Sequence, residues 1–335
     1  MIIQLNKIIT SQELFDLQTI LTRYKYTTTI VNTQFDSYMI CIGRTDVDLR
    51  IIGKLKGVVD IHRVSDNYKL VSRKWKTDYT KIDLGDNVII GGDTLSLMAG
   101  PCSIESEEQV EKVVAHLVKN NIKIMRGGVY KPRSSPYAFR GLGIDGLKMM
   151  YERCKPHSIK IITEVMQVSQ IEEMAEYVDI FQVGARNSQN YNLLDALGEI
   201  DKPVLLKRGI SGTIEELLNS AEYVFSKGNE RLILCERGIR TFETEYRNTF
   251  DINAIQLLKD KSHLPVIADP SHGIGIREFV PNLALASLIA GADGVIFEIH
   301  EKPEEAYSDG QQTLNFIESD NLITKIEKMK QLLQA

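Results

Sequence analysis

The chain has 335 residues, 25% of them charged, and a net charge of −5, which suits one large domain plus a small one and gives no reason to expect nucleic acid as a partner. It has no run of ~18 apolar residues, so no membrane span is expected. The opening Met1-Ile-Ile-Gln-Leu-Asn-Lys7 lacks the cationic and long apolar parts of a signal peptide, so the expectation is a cytoplasmic protein.

In chain order, residues 2–8 alternate as a strand. Ser11 then reads as the N-cap of a helix whose face is Leu14, Leu17, Ile20 and Leu21. Thr27–Thr33 and Tyr38–Gly43 are strand-like runs around a short polar turn. Asp46–Lys54 reads as a short helix and Val58–Val64 as a strand. The order strand, helix, strand, strand, helix, strand is ferredoxin-like. Residues 1–71 are therefore assigned to a small α+β domain. No titratable cluster stands in it, so it is suited to binding an effector or a partner rather than to chemistry. Residues 72–93 are assigned as a linker and a β-hairpin. Ser72–Thr80 is polar and holds the only tryptophan, and Thr80–Leu84 and Val88–Ile90 flank the turn residues Gly85-Asp86-Asn87.

From Thr94 the pattern becomes regular. Short apolar runs recur at Leu95–Ala99, Ile122–Met125, Ile159–Ile162, Ile180–Val183, Val204–Leu206, Leu232–Cys235, Val266–Ala268 and Gly294–Ile299. Helical patterns such as Ser106–Asn120, Thr213–Ser226 and Leu283–Ala290 lie between them. This alternation predicts a (β/α)8 TIM barrel over residues 94–335, with an open doubly wound sheet as the alternative.

A barrel collects its reactive residues where strands end. Here the ends carry Cys102; Arg126 with Lys131 and Arg133; Glu164; Ala185 with Arg186; Lys207 with Arg208; Glu236 with Arg237; Asp269 with His272; and Glu298 with His300. The cations among them would repel one another around one cavity unless anions fill it, which points to phosphorylated substrates. Some of these cations are expected to pair with Glu164 or Glu236 instead. A second set, Cys102, His272, Glu298 and Asp309, offers sulfur, nitrogen and oxygen donors that suit a borderline divalent cation such as Mn, Fe, Co or Zn. An ion of that kind polarises carbonyls. Cys41, Cys154 and Cys235 lie in strand-like or helical runs and read as buried, inert thiols.

The segments Ala99-Gly-Pro-Cys-Ser103, Arg126-Gly-Gly-Val-Tyr-Lys-Pro-Arg-Ser134, Gln182-Val-Gly-Ala-Arg-Asn187, Leu206-Lys-Arg-Gly209, Cys235-Glu-Arg-Gly-Ile-Arg240, Asp269-Pro-Ser-His272 and Ser308-Asp-Gly310 carry a family resemblance. The chain resembles the 3-deoxy-D-arabino-heptulosonate 7-phosphate (DAHP) synthases, in particular the type I beta form with an N-terminal ferredoxin-like regulatory domain. The resemblance implies condensation of phosphoenolpyruvate with erythrose 4-phosphate, the first step of the shikimate pathway. It implies that Arg126, Lys131, Ala185, Arg186, Lys207 and Arg237 hold phosphoenolpyruvate. Lys131, Pro132, Arg133, Ser134 and Asp309 would meet erythrose 4-phosphate, with Arg133 and Ser134 on its phosphate. Cys102, His272, Glu298 and Asp309 would bind one divalent metal ion per subunit, Mn foremost. Lys131 would protonate the forming alkoxide, and Glu164 or His272 would handle the attacking water.

The resemblance also implies feedback control through the small domain by tyrosine or phenylalanine, and a homotetramer. The sister synthase that uses arabinose 5-phosphate typically has Ala-Asn-Arg-Ser-Ser where this chain has Lys131-Pro-Arg-Ser-Ser135, and it lacks the small domain. A non-catalytic amino-acid-binding regulator is the alternative from another class, and its signature would be a missing metal ligand.

Overall fold

The computed structural model describes residues 1–43, 45–132, 135 and 137–334. Its first element, β1 (Ile2–Leu5), is followed by α1 (Ser11–Arg23), β2 (Thr27–Asn32), β3 (Ser37–Ile42), α2 (Leu49–Gly53) and β4 (Val58–His62). The strands form one antiparallel sheet in the order β2-β3-β1-β4. The cap of α1 is Thr10 rather than Ser11. The Thr10 hydroxyl accepts the Glu13 N–H and the Glu13 carboxylate accepts the Thr10 N–H, a reciprocal box that starts the helix.

Period-two alternation gives the sheet two apolar faces. Ile3, Leu5, Met39 and Cys41 pack against Leu17 and Leu21 of α1 and Ile52 of α2. Ile2, Val31 and Tyr38 point the other way and join the core of the larger part of the chain. The Tyr38 ring meets Trp75 edge-on at 5.1 Å and Phe225 at 6.3 Å. Residues 72–80 are polar in composition yet packed here: the Trp75 indole N–H donates to the Leu70 carbonyl at 2.8 Å and its ring stands edge-on to His263.

The hairpin of β5 (Ile82–Asp83) and β6 (Ile89–Ile90) has a definite place. Ile82, Val88 and Ile90 cluster with the inward residues of the barrel, among them Met98, Ile162 and Ile296. The Ser96 hydroxyl at the start of the first barrel strand donates to the Ile89 carbonyl, so the hairpin seals the mouth at the strands' N-terminal ends.

The barrel strands are β7 (Ser96–Gly100), β8 (Ile124–Arg126), β9 (Lys160–Glu164), β10 (Ile180–Val183), β11 (Val204–Lys207), β12 (Leu232–Glu236), β13 (Val266–Ala268) and β14 (Gly294–Glu298). They pair in parallel in sequence order, and β14 closes on β7 from Gly294↔Ser96 to Glu298↔Gly100. That closure excludes the open sheet. Around them run α3 (Glu107–Lys119), α4 (Gly143–Cys154), α5 (Ile171–Ala175), α6 (Tyr191–Gly198), α7 (Ile214–Ser226), α8 (Ile252–Lys261), α9 (Pro270–Ile274), α10 (Val280–Ile289) and α11 (Phe316–Gln334). Among the described residues no helix is long and apolar enough to cross a membrane.

Candidate active site

The closed barrel makes β13, β14 and β7 neighbours, so groups far apart in sequence share one rim. Glu298 is the last residue of β14, Cys102 follows β7, and His272 lies in α9 just beyond β13. Asp309 arrives from the long connection after β14. The Leu314 N–H bonds the Glu298 carbonyl and the His300 N–H bonds the Leu314 carbonyl, which ties that connection back onto the barrel. Asp309 itself adopts φ 54°, a left-handed conformation that Asp tolerates better than most residues. Gly100 is required where it stands, because a Cβ there would lie 1.9 Å from the Arg126 carbonyl oxygen.

The donor atoms of Cys102, His272, Glu298 and Asp309 lie within 4.8 Å of one another. Cys102 Sγ is 3.2 Å from Asp309 Oδ2, and His272 Nε2 is 3.4 Å from Glu298 Oε1. Burial, followed by Glu298, pushes the Cys102 thiol up to about 12. Burial also pushes His272 down to about 4, against the pull of Asp269 and Glu298. His272 is therefore neutral at physiological pH. Its Nδ1 is held 2.9 Å from Asp269 Oδ2, which leaves Nε2 facing the cluster, the orientation of a ligating imidazole with a carboxylate behind it. Burial opposes ionisation of Asp309 and Glu298 as well, yet Arg247 and, in the acid range where it is itself protonated, His272 hold Asp309 below the usual carboxylate range, and protonated His272 and Arg126 do the same for Glu298. One thiol, one neutral imidazole and two anionic carboxylates fit a borderline divalent cation, which would take the place of the thiol proton.

Beside the cluster a cavity of about 210 Å³ is walled by cations. Arg126, Lys207 and Arg237 are buried in its floor. Arg126 Nη1 donates to Glu298 Oε1 at 2.8 Å and to the Pro101 carbonyl at 2.9 Å, while its buried Nε has no partner among the described residues. Lys207 Nζ is 2.5 Å from Asp269 Oδ2. Arg237 has the Gly238 carbonyl at 3.3 Å, and among the described residues no carboxylate lies within ion-pair distance of it or of the exposed Arg186. Burial lowers the pKa of Arg237, with Asp269 pulling the other way and Arg247 adding to the fall. A cavity floor that is short of counter-charge and has an unused N–H is a site for an anion.

Lys131 spans the two halves, with Nζ 3.0 Å from both the sulfur and the carbonyl oxygen of Cys102. Pro132, Ala185 and Glu164 line the same cavity. Glu164 depends on a glycine: a Cβ at Gly184 would lie 2.1 Å from Glu164 Oε1. Arg133 and Ser134 lie outside the described residues.

Arg208 departs from the cationic set expected of the strand ends. Its guanidinium is buried in the barrel wall, 2.9 Å from Glu236 Oε2 and 2.9 Å from Asp251 Oδ2, with Nε on the Gly212 carbonyl. A buried Arg between two carboxylates is already neutralised, and Arg208 does not line the cavity beside the cluster. His300 is also spent elsewhere, with Nε2 3.8 Å from Glu105. Conversely, the sequence reading gave no role to Asp269, Arg247, Gln182 or Gln312. Asp269 had a signal, since it stands at a strand end three residues before His272. Arg247 and Gln312 lie in loops whose course only the folded chain reveals.

Comparison with known proteins agrees with this geometry. Residues 77–335 match the DAHP synthetase I family. The phospho-2-dehydro-3-deoxyheptonate aldolase of Thermotoga maritima is 46% identical over 276 residues, 82% of this chain and 81% of that protein. The crystal structure of the Thermotoga maritima DAHP synthase superposes with a TM-score of 0.79 at 41% identity, covering 99% of this chain and 97% of that one. A 2-dehydro-3-deoxyphosphooctonate aldolase of Francisella philomiragia is 30% identical over 263 residues, 73% of this chain and 94% of that protein.

Proposed function

The chain belongs to the DAHP synthetase I family, and we infer from that premise that it condenses phosphoenolpyruvate with D-erythrose 4-phosphate and water, giving 3-deoxy-D-arabino-heptulosonate 7-phosphate and inorganic phosphate. The observation that carries the reading is one cavity floored by buried cations, of which Arg237 has no carboxylate at ion-pair distance among the described residues, that opens onto a Cys/His/Glu/Asp cluster. Anchoring two phosphorylated substrates against each other turns a bimolecular step into a local one. Arg126, Lys207 and Arg237, with Arg186, line that cavity and would hold the carboxylate and phosphate of phosphoenolpyruvate. Lys131 and Pro132, on the same wall, face the second substrate, and Arg133 and Ser134 are assigned to its phosphate.

In the proposed reaction C3 of phosphoenolpyruvate attacks the aldehyde carbon, and water adds at C2. The resulting phosphohemiketal breaks its C2–O bond and expels phosphate. Lys131, whose Nζ sits between the cationic floor and the cluster, delivers the proton to the alkoxide. Glu164 is favoured over His272 for the water proton, because both ring nitrogens of His272 are committed, Nδ1 to Asp269 and Nε2 toward the cluster. Cys102, His272, Glu298 and Asp309 would hold a divalent ion, of which Mn is the first choice and Fe, Co or Zn the others, and which when bound supplies Lewis-acid polarisation of the aldehyde.

The heptulosonate product is favoured over the octulosonate one by the extent of the likeness. The Thermotoga maritima heptonate aldolase matches 82% of this chain at 46% identity, whereas the octulosonate relative matches 73% at 30%. We further propose that the small domain senses tyrosine or phenylalanine, that the working form is a homotetramer and that the enzyme acts in the cytoplasm.

The test is phosphoenolpyruvate consumption by metal-stripped protein, with and without Mn, offered erythrose 4-phosphate or arabinose 5-phosphate. Metal-dependent loss with the four-carbon sugar is expected. Turnover with the five-carbon sugar alone would move the assignment to the sister reaction.

A further inference from the structure

Two carboxylates of the cluster are held in the same way, and one side chain links them. Glu298 directs Oε1 to His272 and Arg126, at 3.4 and 2.8 Å, while Oε2 accepts from Gln312 Nε2 at 2.6 Å. Asp309 directs Oδ2 to Cys102 Sγ at 3.2 Å, while Oδ1 meets Arg247 Nη1 at 3.2 Å. The same Arg247 nitrogen donates to Gln312 Oε1 at 2.5 Å. In each carboxylate, then, one oxygen faces the cluster and the other is tied to a bracket made of Gln312 and Arg247. Gln312 is fully buried, so water does not compete for these bonds.

We propose that Gln312 is a positioning residue that sets the spacing and rotation of Glu298 and Asp309 for a divalent cation, a role that rests on reading the cluster as a cation site. The amide serves both ends. An ionised carboxylate only accepts and a guanidinium only donates, so the group between them must both donate and accept, which the amide does with two separate atoms, Nε2 and Oε1. That requirement also fixes the amide orientation, NH₂ toward Glu298 and C=O toward Arg247. Glutamate at this position would set two carboxylates against each other, and lysine would face Arg247 with a like charge. The backbone supplies the register. Gly310–Gln312 is a single 3-10 turn in which the Gln312 N–H bonds the Asp309 carbonyl at 3.1 Å, which places residues 309 and 312 on one side of the turn. Gly310 is needed for that turn, since a Cβ would lie 2.1 Å from the Pro303 carbonyl oxygen. Tying back the outer oxygens stops either carboxylate from rotating, so the cluster keeps its shape before an ion arrives.

The test is titration of metal-stripped protein with Co(II), read by the thiolate-to-cobalt charge-transfer band and by the dissociation constant. The proteins compared are wild type, Gln312→Met, which fills the same space with no polar group, and Gln312→Asn, which keeps the amide but is one methylene too short to span both partners. With circular dichroism and the metal-free Tm preserved, Q312M is expected to weaken Co(II) binding by about 10–100-fold and to shift the band, with Q312N falling between it and wild type. Wild-type affinity and an unchanged band in Q312M, or in Q312N should Q312M fail to fold, would overturn the proposal. Loss of the folded barrel in both variants would overturn it too, by making Gln312 a purely structural residue. A wild-type protein that binds no Co(II) would instead strike at the cation site itself.

Discussion

Two regions of the molecule each bury a histidine among polar groups, and they resolve the burial in opposite ways. At the joint between the small sheet and the barrel, His263 has Nδ1 2.8 Å from the Thr80 hydroxyl and Nε2 2.8 Å from the Leu70 carbonyl, with Trp75 and Phe225 edge-on to its ring. Nearby the Glu222 carboxylate accepts the consecutive N–H groups of Lys69, Leu70 and Val71 at 2.8, 2.9 and 3.0 Å. Every group named there is satisfied. At the open mouth His272 also has a partner on Nδ1, but its Nε2 looks into a set of ligand-type atoms, and among the described residues Arg126 Nε lacks an acceptor and Arg237 lacks a carboxylate at ion-pair distance. Saturated burial holds parts together, whereas burial left incomplete marks where something else binds.

The sharpest way to break this contrast is Cys102→Ala. The change removes one donor from the mouth and little volume, so the fold should stand. Metal-dependent turnover should fall by on the order of 10³-fold, the several kcal/mol that Lewis-acid assistance contributes. Full turnover in the metal-stripped variant would remove the sulfur from the site.

Glu298→Gln tests whether the mouth is as tightly coupled as its distances imply. Glu298 faces Arg126 at 2.8 Å, and both are almost fully buried. Neutralising one partner leaves a buried cation without its counter-charge, so urea unfolding of the metal-free variant should show a loss of about 3–5 kcal/mol. A loss below ~1 kcal/mol would mean that other groups neutralise Arg126.

Arg237→Met sharpens the comparison from the other side. Arg237 is buried with no carboxylate at ion-pair distance among the described residues. Removing it should leave the unliganded protein as stable as before or more so. Phosphoenolpyruvate binding, read by calorimetry, should weaken by about 1.5–3 kcal/mol, roughly 10–100-fold. A large stability loss with unchanged affinity would reverse the roles assigned to the two regions.

The architecture was legible because a parallel barrel strand is buried on both faces and therefore reads as a continuous apolar run, followed here by a charged residue. Cys102, His272 and Glu298 were legible for the same reason: they stand at strand ends, and closure makes those ends neighbours. Helix α6 is hard to read from the sequence, because Tyr191–Gly198 completes little more than two turns and offers the periodicity few repeats. In the nineteen-residue α11 the charged residues Glu318, Asp320, Lys325, Glu327, Lys328 and Lys330 are interleaved with the apolar ones, so its apolar stripe is faint. The cap of α1 was read one residue late, since Thr10 and Ser11 are both good caps and the Glu13 partner selects the first. Arg208 looked like its neighbour Lys207, but side chains alternate along a strand, so with Lys207 turned into the cavity Arg208 leaves by the other side, into the wall. Arg247 and Gln312 were invisible for a different reason: a loop residue reaches the mouth only through the path of its loop.

The smallest effect returns to the joint. Burial, helped by Lys76 and opposed by the bond to Leu70, pushes His263 down to about 3, against about 6.5 in an unfolded chain. Above pH 6.5 both states hold it neutral and it contributes nothing to the pH dependence. Below 6.5 the unfolded chain takes up a proton that the folded protein refuses, so stability falls as the solution is acidified, down to the folded value. The slope is about 1.4 kcal/mol per pH unit, which makes the loss about 2 kcal/mol at pH 5. His263→Gln keeps a donor and an acceptor near Thr80 and Leu70 but cannot titrate. Other histidines respond to the same acidification, including His272 at the mouth, so the informative quantity is the difference between the metal-free wild-type and variant stability profiles. That difference should open below pH 6.5 in favour of the variant, whatever constant offset the substitution adds. Parallel profiles from pH 7 to pH 5 would show that His263 takes its proton in the folded state, and that the joint is open enough to water to bear a charge.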